Sequence, residues 1–265
     1  MPGRAAAGGA PGSAAGRLSN LMVMRRHAAR TLLARYAVTW IYLAAVTATE
    51  IVYAVLPGRD QVALLAWAST NVHNLQHDPV GSLVVSAFLP AESGIWWPGL
   101  IALGLFGANK VLGNWRTAVV CAAAHIAGTL VSEGIQEYRI TQGLLPVTAR
   151  YIIDVGPSYV LVAAITVAIL YGGRLARAAA LLDLALLIFV GDIFGGLREF
   201  QVAAVGHVTA IAVGAIGGSL ARWQRRRGSA VQAGAGHRGR SGRGGSGRGR
   251  SGRGGPGSGG PGSVR

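Results

Sequence analysis

Six apolar runs separated by polar connections occupy the middle of the chain. They lie at residues 37–56, 95–112, 117–135, 157–172, 177–195 and 203–221. The first run, AVTWIYLAAVTATEIVYAVL, is long enough to cross a bilayer as an α-helix. Glycines and single charges interrupt several of the others, so we expect these helices to pack against one another. The pattern predicts an all-α polytopic membrane protein with six transmembrane helices.

The longer connection between the first two runs, residues 57–94, is itself rather apolar. It contains VALLAWAST and VGSLVVSAFL, but Asn, His and Pro break it before it reaches the length of a span. Irregular backbone at membrane depth is tolerated only where protein or water covers it. We therefore expect this segment to lie partly embedded at the membrane interface and to be held by protein contacts.

The excess of positive charge is confined to the two ends of the chain. The formal net charge is +15, although only 13% of the residues are charged and 51% are apolar. Residues 1–35 contain six Arg and residues 222–265 contain eleven, and neither range contains an acidic residue. Both ends are also rich in Gly and Ala. This composition predicts disordered basic segments over 1–35 and 223–265 around a membrane domain over 36–222.

The basic ends indicate membrane lipid as a partner. Beside a membrane domain, such segments are attracted to anionic lipid headgroups, and we expect no specific nucleic-acid site. The dominance of Ala, Gly and Arg is typical of a GC-rich bacterial genome. The plasma membrane is therefore the expected location.

The charges of the connections predict the orientation of the helices. If both termini are cytoplasmic, the two inner connections carry Lys110, Arg116, Arg174 and Arg177 and no acidic residue. Each of the three outer connections then has a net negative charge. Cytoplasmic loops of membrane proteins hold an excess of Lys and Arg. The sequence thus predicts a multi-pass protein with both termini in the cytoplasm.

Ser158 and His207 are expected at the same depth of the bilayer. The stretch DVGPSYV places Ser158 at the start of the fourth run, and GHVTAIAVGAIGGSL places His207 near the start of the sixth. Both helices would run from the outer to the inner side. Ala210, Gly214 and Gly218 form a stripe of small residues on the face that carries the histidine. Such stripes allow close packing of helices in lipid.

These two side chains suit acyl-transfer chemistry. If the fourth helix is the neighbour, the His207 imidazole could take the proton of the Ser158 hydroxyl as its oxygen attacks a carbonyl. Unpaired backbone N–H groups at the helix start, around Gly156, Pro157 and Tyr159, could hold the developing oxyanion. Pro157 fits the first turn because no N–H donor is needed there. The alternative is a hydrogen-bonded pair that only joins two helices.

The first outer connection offers a weaker, metal-binding hypothesis. His73 and His77 stand four residues apart and Asp78 follows, so on a helix two imidazoles could share one zinc ion. No third ligand is evident, and we expect neither a metal nor another cofactor. In the same connection, Asn71 or Asn74 could reach back to support the oxyanion.

Four other polar residues are expected to play supporting roles. His125 in the third run is expected to make a hydrogen bond between helices. Glu133 and Glu137, near the outer end of the same helix, are expected to fix the following loop by hydrogen bonds. Asp192, near the outer end of the fifth helix, could orient His207.

Three stretches together resemble the rhomboid intramembrane serine proteases. GPSY at 156–159 is similar to the GxSG nucleophile motif of that family, HVTAIAVG at 207–214 to its histidine motif HxxGxxxG, and FGANKVLGNWR at 106–116 to the end of its second helix. The resemblance covers residues 37–221. It implies a six-helix rhomboid-like bundle that cleaves transmembrane protein substrates by a Ser–His dyad, without metal or cofactor.

Departures from the family pattern indicate a divergent bacterial branch. Tyr159 stands where the family has Gly after the nucleophile, and the second-helix motif HxxxN, which supports the oxyanion, is replaced near Ser93 and Trp97. The alternative function is therefore that of a catalytically inactive member that binds transmembrane clients. A small-solute transporter is a weaker alternative, since the sequence shows no inverted repeat.

Overall fold

Helices form all the regular structure in the part of the chain that the structure describes. This computed structural model describes residues 14–90, Gly94 and residues 96–241. The ten α-helices of that part are α1 Ala14–Arg35, α2 Ala37–Val55, α3 Gly58–Ala68, α4 Val72–His77, α5 Pro79–Ser86, α6 Trp96–Leu112, α7 Asn114–Thr141, α8 Ser158–Tyr171, α9 Arg174–Phe189 and α10 Val202–Ser241. A 3₁₀ helix over Val147–Tyr151 lies between α7 and α8. The predicted all-α class is confirmed.

Six of these helices, α2 and α6 to α10, coincide with the six predicted spans. Within the described residues, three helical stretches are long and apolar enough to cross a membrane: Ala37–Val55, Asn114–Thr141 and Val202–Gly228. Helices α6, α8 and α9 have only 17, 14 and 16 residues. A helix as short as α8 extends about 21 Å, less than the ~30 Å of a hydrocarbon core. The chain is a helical membrane protein, and the count of six spans stays a prediction.

Helix α8 lies at the centre of the bundle. All residues from Tyr159 to Ala168 are buried, and the helix packs against α6, α7 and α9. A helix that is apolar on every side is stable only when other elements surround it. Gly156 and Pro157, just before the helix, are buried as well. The backbone can therefore leave the helical conformation at this point without exposing polar groups to lipid.

Small residues bring α10 into close contact with α8. A Cβ on Gly214 would lie 2.7 Å from the carbonyl oxygen of Ala163, and a Cβ on Gly218 would lie 2.3 Å from the ring of Tyr171. Ala210, one turn earlier, is completely buried. Because the contacts advance in the same direction along both helices, α8 and α10 run parallel.

Helix α6 approaches the opposite side of α8 in the same way. A Cβ on Gly104 would lie 2.8 Å from Leu161, and one on Gly107 would lie 2.9 Å from Ala168, so these two helices are also parallel. Gly104 and Gly107 meet Asp183 and Ala176 of α9 in the reverse order, so α9 runs antiparallel to both. The relative directions of α6, α8, α9 and α10 thus agree with the predicted topology.

The connecting segment, residues 57–94, packs on the residues just before α8. The backbone N–H of Thr70 donates to the carbonyl oxygen of Asp154 at 2.8 Å, and the N–H of Gly156 donates to that of Ser86 at 3.0 Å. These bonds satisfy backbone groups on both sides, so the segment helps to fix the start of α8. Residues 91–93 and 95 lie outside the described part. The embedding of the segment at the membrane interface stays a prediction.

His125 attaches the connecting segment to α7. Its Nε2 lies 3.0 Å from the carbonyl oxygen of Leu83 and 3.1 Å from the hydroxyl of Ser86, both on α5. The expected hydrogen bond between helices is confirmed. Its partner is one of the short helices of the segment.

The carboxyl group of Asp154 is the ionisable group at this contact. Its Oδ2 accepts a hydrogen bond from the Thr70 hydroxyl at 3.3 Å, and its backbone N–H donates to the hydroxyl of Ser69 at 2.9 Å. Burial raises the pKa of the Asp154 carboxyl from 3.8 to about 6, although hydrogen bonds from Tyr159 and Thr70 act in the opposite direction. Burial of Asp154 therefore favours the neutral carboxyl group.

Helices occupy part of both end segments of the chain, and the assignment of these segments as disordered basic extensions stays a prediction. Residues 14–35 form α1, and α10 continues through residue 241. In α1, Ala, Leu, Met and Arg have high helix propensity. By its internal contacts the chain divides into two compact units, Met1–Arg222 and Trp223–Arg265. The remaining residues predicted as disordered, 1–13 and 242–265, lie outside the described part.

Replacement of Gly214 by Ala should destabilise the bundle, because the added Cβ would meet the α8 backbone. We expect a loss of about 1–3 kcal/mol and a lower midpoint of thermal unfolding in detergent. Gly134→Ala on α7 is the matched control, since a Cβ there meets nothing within 4 Å. Equal midpoints for the two variants would contradict the close approach of α8 and α10.

The pKa of Asp154 predicts a pH-dependent stability. The folded state holds the proton of Asp154 more tightly than the unfolded state, so the stabilisation is complete below pH 3.8 and is lost as the pH rises through about 6. Thermal unfolding followed from about pH 4 to pH 7 should show this decline in wild type. In Asp154→Asn the side chain stays neutral, so its unfolding midpoint should fall less over that range. Parallel curves for both proteins would disprove the shift.

Candidate functional site

The start of α8 has the geometry of a site for an anionic oxygen. Gly156 has a φ of 139°, which a residue with a side chain rarely adopts, and Pro157 occupies the N-cap position. The helix therefore begins one residue later than predicted, with Ser158 as its first and half-buried residue. The first intrahelical bond runs from the N–H of Leu161 to the carbonyl of Pro157. The N–H groups before it have no partner within the helix.

His207 is buried on α10 with one ring nitrogen bonded. Its side chain is 4% exposed, and Nδ1 lies 2.7 Å from the carbonyl oxygen of Ile193. A carbonyl oxygen only accepts, so Nδ1 carries the proton and the Nε2 of the neutral ring keeps its lone pair. Nε2 is buried and has no hydrogen-bond partner. The expectation that Asp192 orients the ring is corrected, because the backbone carbonyl of the next residue does so.

The structure does not join Ser158 and His207 by a hydrogen bond. Within the described part of the chain, the hydroxyl of Ser158 makes no hydrogen bond, and Nε2 of His207 makes none either. Both residues belong to helices that pack against each other and run in the same direction. Their role as a dyad stays a prediction.

Tyr159 is the residue that contacts the histidine. Its ring lies 5.2 Å from the His207 ring, centroid to centroid, in an edge-on arrangement with an interplanar angle of 77°. The tyrosine side chain is 3% exposed, so it lies in the core and not over Ser158. The support that the sequence assigns to Tyr159 at the oxyanion can therefore come only from its backbone N–H.

Sequence reasoning missed two glycines that make room for this tyrosine. A Cβ on Gly206 would lie 2.1 Å from Cζ of Tyr159, and one on Gly128 would lie 3.1 Å from Cδ2. Gly206 extends the four-residue spacing of Ala210 and Gly214 by one step toward the site, a signal present in the sequence. Gly128 on α7 lies in a comparable series, with Ala124 and Ser132 at the same four-residue spacing.

The two glutamates near the end of α7 behave differently. Glu137 pairs with Arg150, whose Nε donates to Oε2 at 2.8 Å, so this residue fixes the loop as expected. Hydrogen bonding to Glu137 raises the pKa of Arg150. Glu133 is 2% exposed and faces the backbone of Val72 at the start of α4. Its expected role in fixing a loop by a hydrogen bond stays a prediction.

The histidines of the connecting segment stack on each other. The rings of His73 and His77 lie 4.3 Å apart, centroid to centroid, and Nδ1 of His77 lies 2.7 Å from the backbone oxygen of His73. The His73 ring also contacts Tyr151. Among the described residues there is no group of three His, Cys, Asp or Glu side chains that could hold a metal ion.

The asparagines considered for the oxyanion have local partners. Asn71 caps α4 by accepting from the N–H of Asn74 at 2.9 Å, and the Asn74 amide donates to backbone oxygens at the end of α3. The Asn74 amide N–H group is therefore committed to the turn between α3 and α4, and the side-chain oxygen of Asn71 is committed to the start of α4. Ser93 and Trp97 stand near the positions where the family has HxxxN. Ser93 lies outside the described residues. Trp97 lies in the first turn of α6, and its buried indole N–H has no hydrogen-bond partner.

Comparison with known proteins identifies the family. No curated protein and no solved structure matches the chain. A family model described as rhomboid-like protein matches residues 32–227. The match covers well over half of the chain and includes every helix from α2 to α9, together with the part of α10 that carries His207. The chain therefore belongs to the rhomboid-like protein family.

Proposed function

We propose that this protein is an intramembrane serine endopeptidase, with Ser158 as the nucleophile and His207 as the general base. The observation that carries the proposal is the hydrogen bonding of the two ring nitrogens of His207. Its Nδ1 is held by the Ile193 carbonyl and its buried Nε2 is unpaired, so one nitrogen is oriented and the other can accept a proton. The buried His125 also has one unpaired ring nitrogen, but the His207 ring lies closer to Tyr159, the residue that follows Ser158, at 5.2 Å against 6.1 Å between ring centroids.

The position of Ser158 supports this role. Ser158 directly precedes Tyr159, whose ring contacts His207, so the serine and this contact belong to the same turn of α8. Catalytic hydrogen bonds are often long or poorly aligned without substrate and tighten in the complex. We expect the bond from the Ser158 hydroxyl to Nε2 to form when a substrate occupies the site.

The reaction follows from these groups. The oxygen of Ser158 attacks the scissile carbonyl while its proton passes to Nε2 of His207, and the unpaired N–H groups of the first turn of α8 stabilise the oxyanion. The imidazolium then protonates the leaving amine, which leaves an acyl ester on the serine. Water, deprotonated by the same imidazole, hydrolyses the ester and returns the free enzyme. No metal or cofactor is needed for these steps.

Membership of the family and a helical membrane fold favour transmembrane proteins as substrates. With both termini in the cytoplasm of a bacterial cell, the start of α8 would face the outer side of the plasma membrane. The exposed Arg25, Arg30 and Arg35 of α1 would then lie near anionic headgroups of the inner leaflet.

Labelling with a fluorophosphonate tests the nucleophile. Purified wild type in detergent should be labelled, Ser158→Ala should not react, and His207→Ala should react about 100-fold more slowly, since general-base catalysis contributes at least that much. The rate of label incorporation is read from gel fluorescence. Ser219→Ala and His73→Ala are the controls, because Ser219 bonds to Tyr171 at the other end of α8 and His73 lies in the connecting segment.

A folded wild type that does not react would reject the protease. It would leave the inactive, client-binding member of the family as the function. Equal loss of labelling in the two control variants would show that the changes act through folding and would also count against the assignment.

Cysteine accessibility tests the orientation. The chain has one cysteine, Cys121, which is buried, so wild type is the unlabelled control. Leu144→Cys lies between α7 and α8, and Leu175→Cys lies in the first turn of α9, just after the connection from α8; both positions are exposed. A membrane-impermeant maleimide should label the first variant in intact cells and the second only after permeabilisation. The reverse order would place the serine on the cytoplasmic side.

A further inference from the structure

Tyr159 fits a slot that is formed for an aromatic ring. Gly128 on α7 and Gly206 on α10 face the ring from two sides, and a Cβ at either position would come within 3.1 Å of it. The ring is therefore held by backbone on both sides, where no side chain can move away to release it. A tyrosine packed in this way has one available position.

The hydroxyl of Tyr159 is anchored at the same time. It lies 3.3 and 3.2 Å from the two carboxyl oxygens of Asp154 and 3.4 Å from the carbonyl oxygen of Val202. Asp154 is itself held by Thr70, whose hydroxyl donates to its backbone oxygen at 3.0 Å and to Oδ2 at 3.3 Å. A chain of contacts thus runs from the connecting segment through Asp154 to the tyrosine.

The His207 imidazole is the last group in this series of contacts. The hydrogen bond from Nδ1 to the Ile193 carbonyl fixes the position of Nδ1 but still allows the imidazole ring to rotate about that bond. The edge-on contact with Tyr159 blocks this movement on one side. The two contacts together define where the unpaired Nε2 points.

We infer that Tyr159, anchored by Asp154, is a positioning residue for His207, and that Thr70 couples the connecting segment to the general base. The inference rests on the proposed protease function. Tyr159 does not touch the reacting atoms with its side chain. It acts by holding the imidazole, so its removal changes the rate and the pH profile more than the stability of the fold.

Other titratable groups face this tyrosine and must be considered in any pH profile. Glu133 on α7 lies within electrostatic range of Tyr159, and the ring of His125 lies 6.1 Å away, centroid to centroid. Of these groups, the carboxyl group of Asp154 accepts a hydrogen bond from the Tyr159 hydroxyl. Because Tyr159→Phe also removes a hydrogen bond that lowers the pKa of Asp154, its profile is compared with that of Tyr159→Phe combined with Asp154→Asn, in which this carboxyl group cannot titrate.

The test compares two tyrosines of the same helix. Tyr159→Phe removes the anchoring hydroxyl and keeps the ring, and Tyr159→Leu removes the ring. Tyr171→Phe is the matched control, because Tyr171 also contacts a glycine of α10 and its hydroxyl bonds to α10, at 3.1 Å from the Ala215 oxygen. For each variant, the fluorophosphonate labelling rate is measured as a function of pH, together with the midpoint of thermal unfolding.

We expect Tyr159→Phe to slow labelling about tenfold and to displace the pH midpoint, and Tyr159→Leu to slow it further, since misplacement of a catalytic group lowers the rate steeply. Tyr171→Phe should label at the wild-type rate with a similar loss of stability. A wild-type rate for Tyr159→Phe would overturn the inference, and so would an equal slowing in Tyr171→Phe.

A second measurement separates this inference from the proposed function. The ¹⁵N spectrum of histidine-labelled protein reports the tautomer and mobility of His207 without any reaction, with His207→Ala for assignment. Tyr159→Phe should shift or broaden the His207 signals and Tyr171→Phe should not. If wild type takes no label, the protease proposal fails, and the spectrum still decides the positioning role: unchanged signals in Tyr159→Phe overturn it.

Discussion

Helix α8 can occupy the centre of the bundle only because glycines on its neighbours let the backbones approach it. Between helices in lipid the hydrophobic effect supplies no driving force, so association depends on close packing and on hydrogen bonds. Gly104 and Gly107 of α6 and Gly214 and Gly218 of α10 provide such packing along the helix. A side chain at these positions would push the helices apart, and the start of α8 would lose its fixed place.

This packing fixes the positions of the groups at the candidate site. With α8 held on all sides, Ser158 and the unpaired N–H groups of its turn lie at one defined position. The slot beside them admits the ring of Tyr159, which meets His207, while the Ile193 carbonyl holds the other side of the imidazole. Catalytic side chains that are already fixed in position lose little conformational entropy when a substrate binds. A rigid scaffold raises the reaction rate in this way.

Part of the site was open to prediction from the sequence and part was not. The GPSY and HVTAIAVG stretches pointed to Ser158 and His207, and the four-residue spacing that ends at Gly206 was visible beside them. The contacts that hold the histidine were not visible. One is a backbone carbonyl, which has no sequence signature, and the other is the side chain of Tyr159, whose direction depends on space left by Gly128 in a distant part of the chain.

The sequence by itself determined the helical class, the positions of the six apolar helices and the family, because hydrophobic length and motif spacing are properties of local stretches. Only the tertiary structure decided that α8 is central, that Asp154 receives the connecting segment, and that Ser158 and His207 are not hydrogen-bonded in this state. The physical reason is that such contacts join residues far apart in the chain. Their geometry depends on the packing of several helices at once, which no single stretch of sequence specifies.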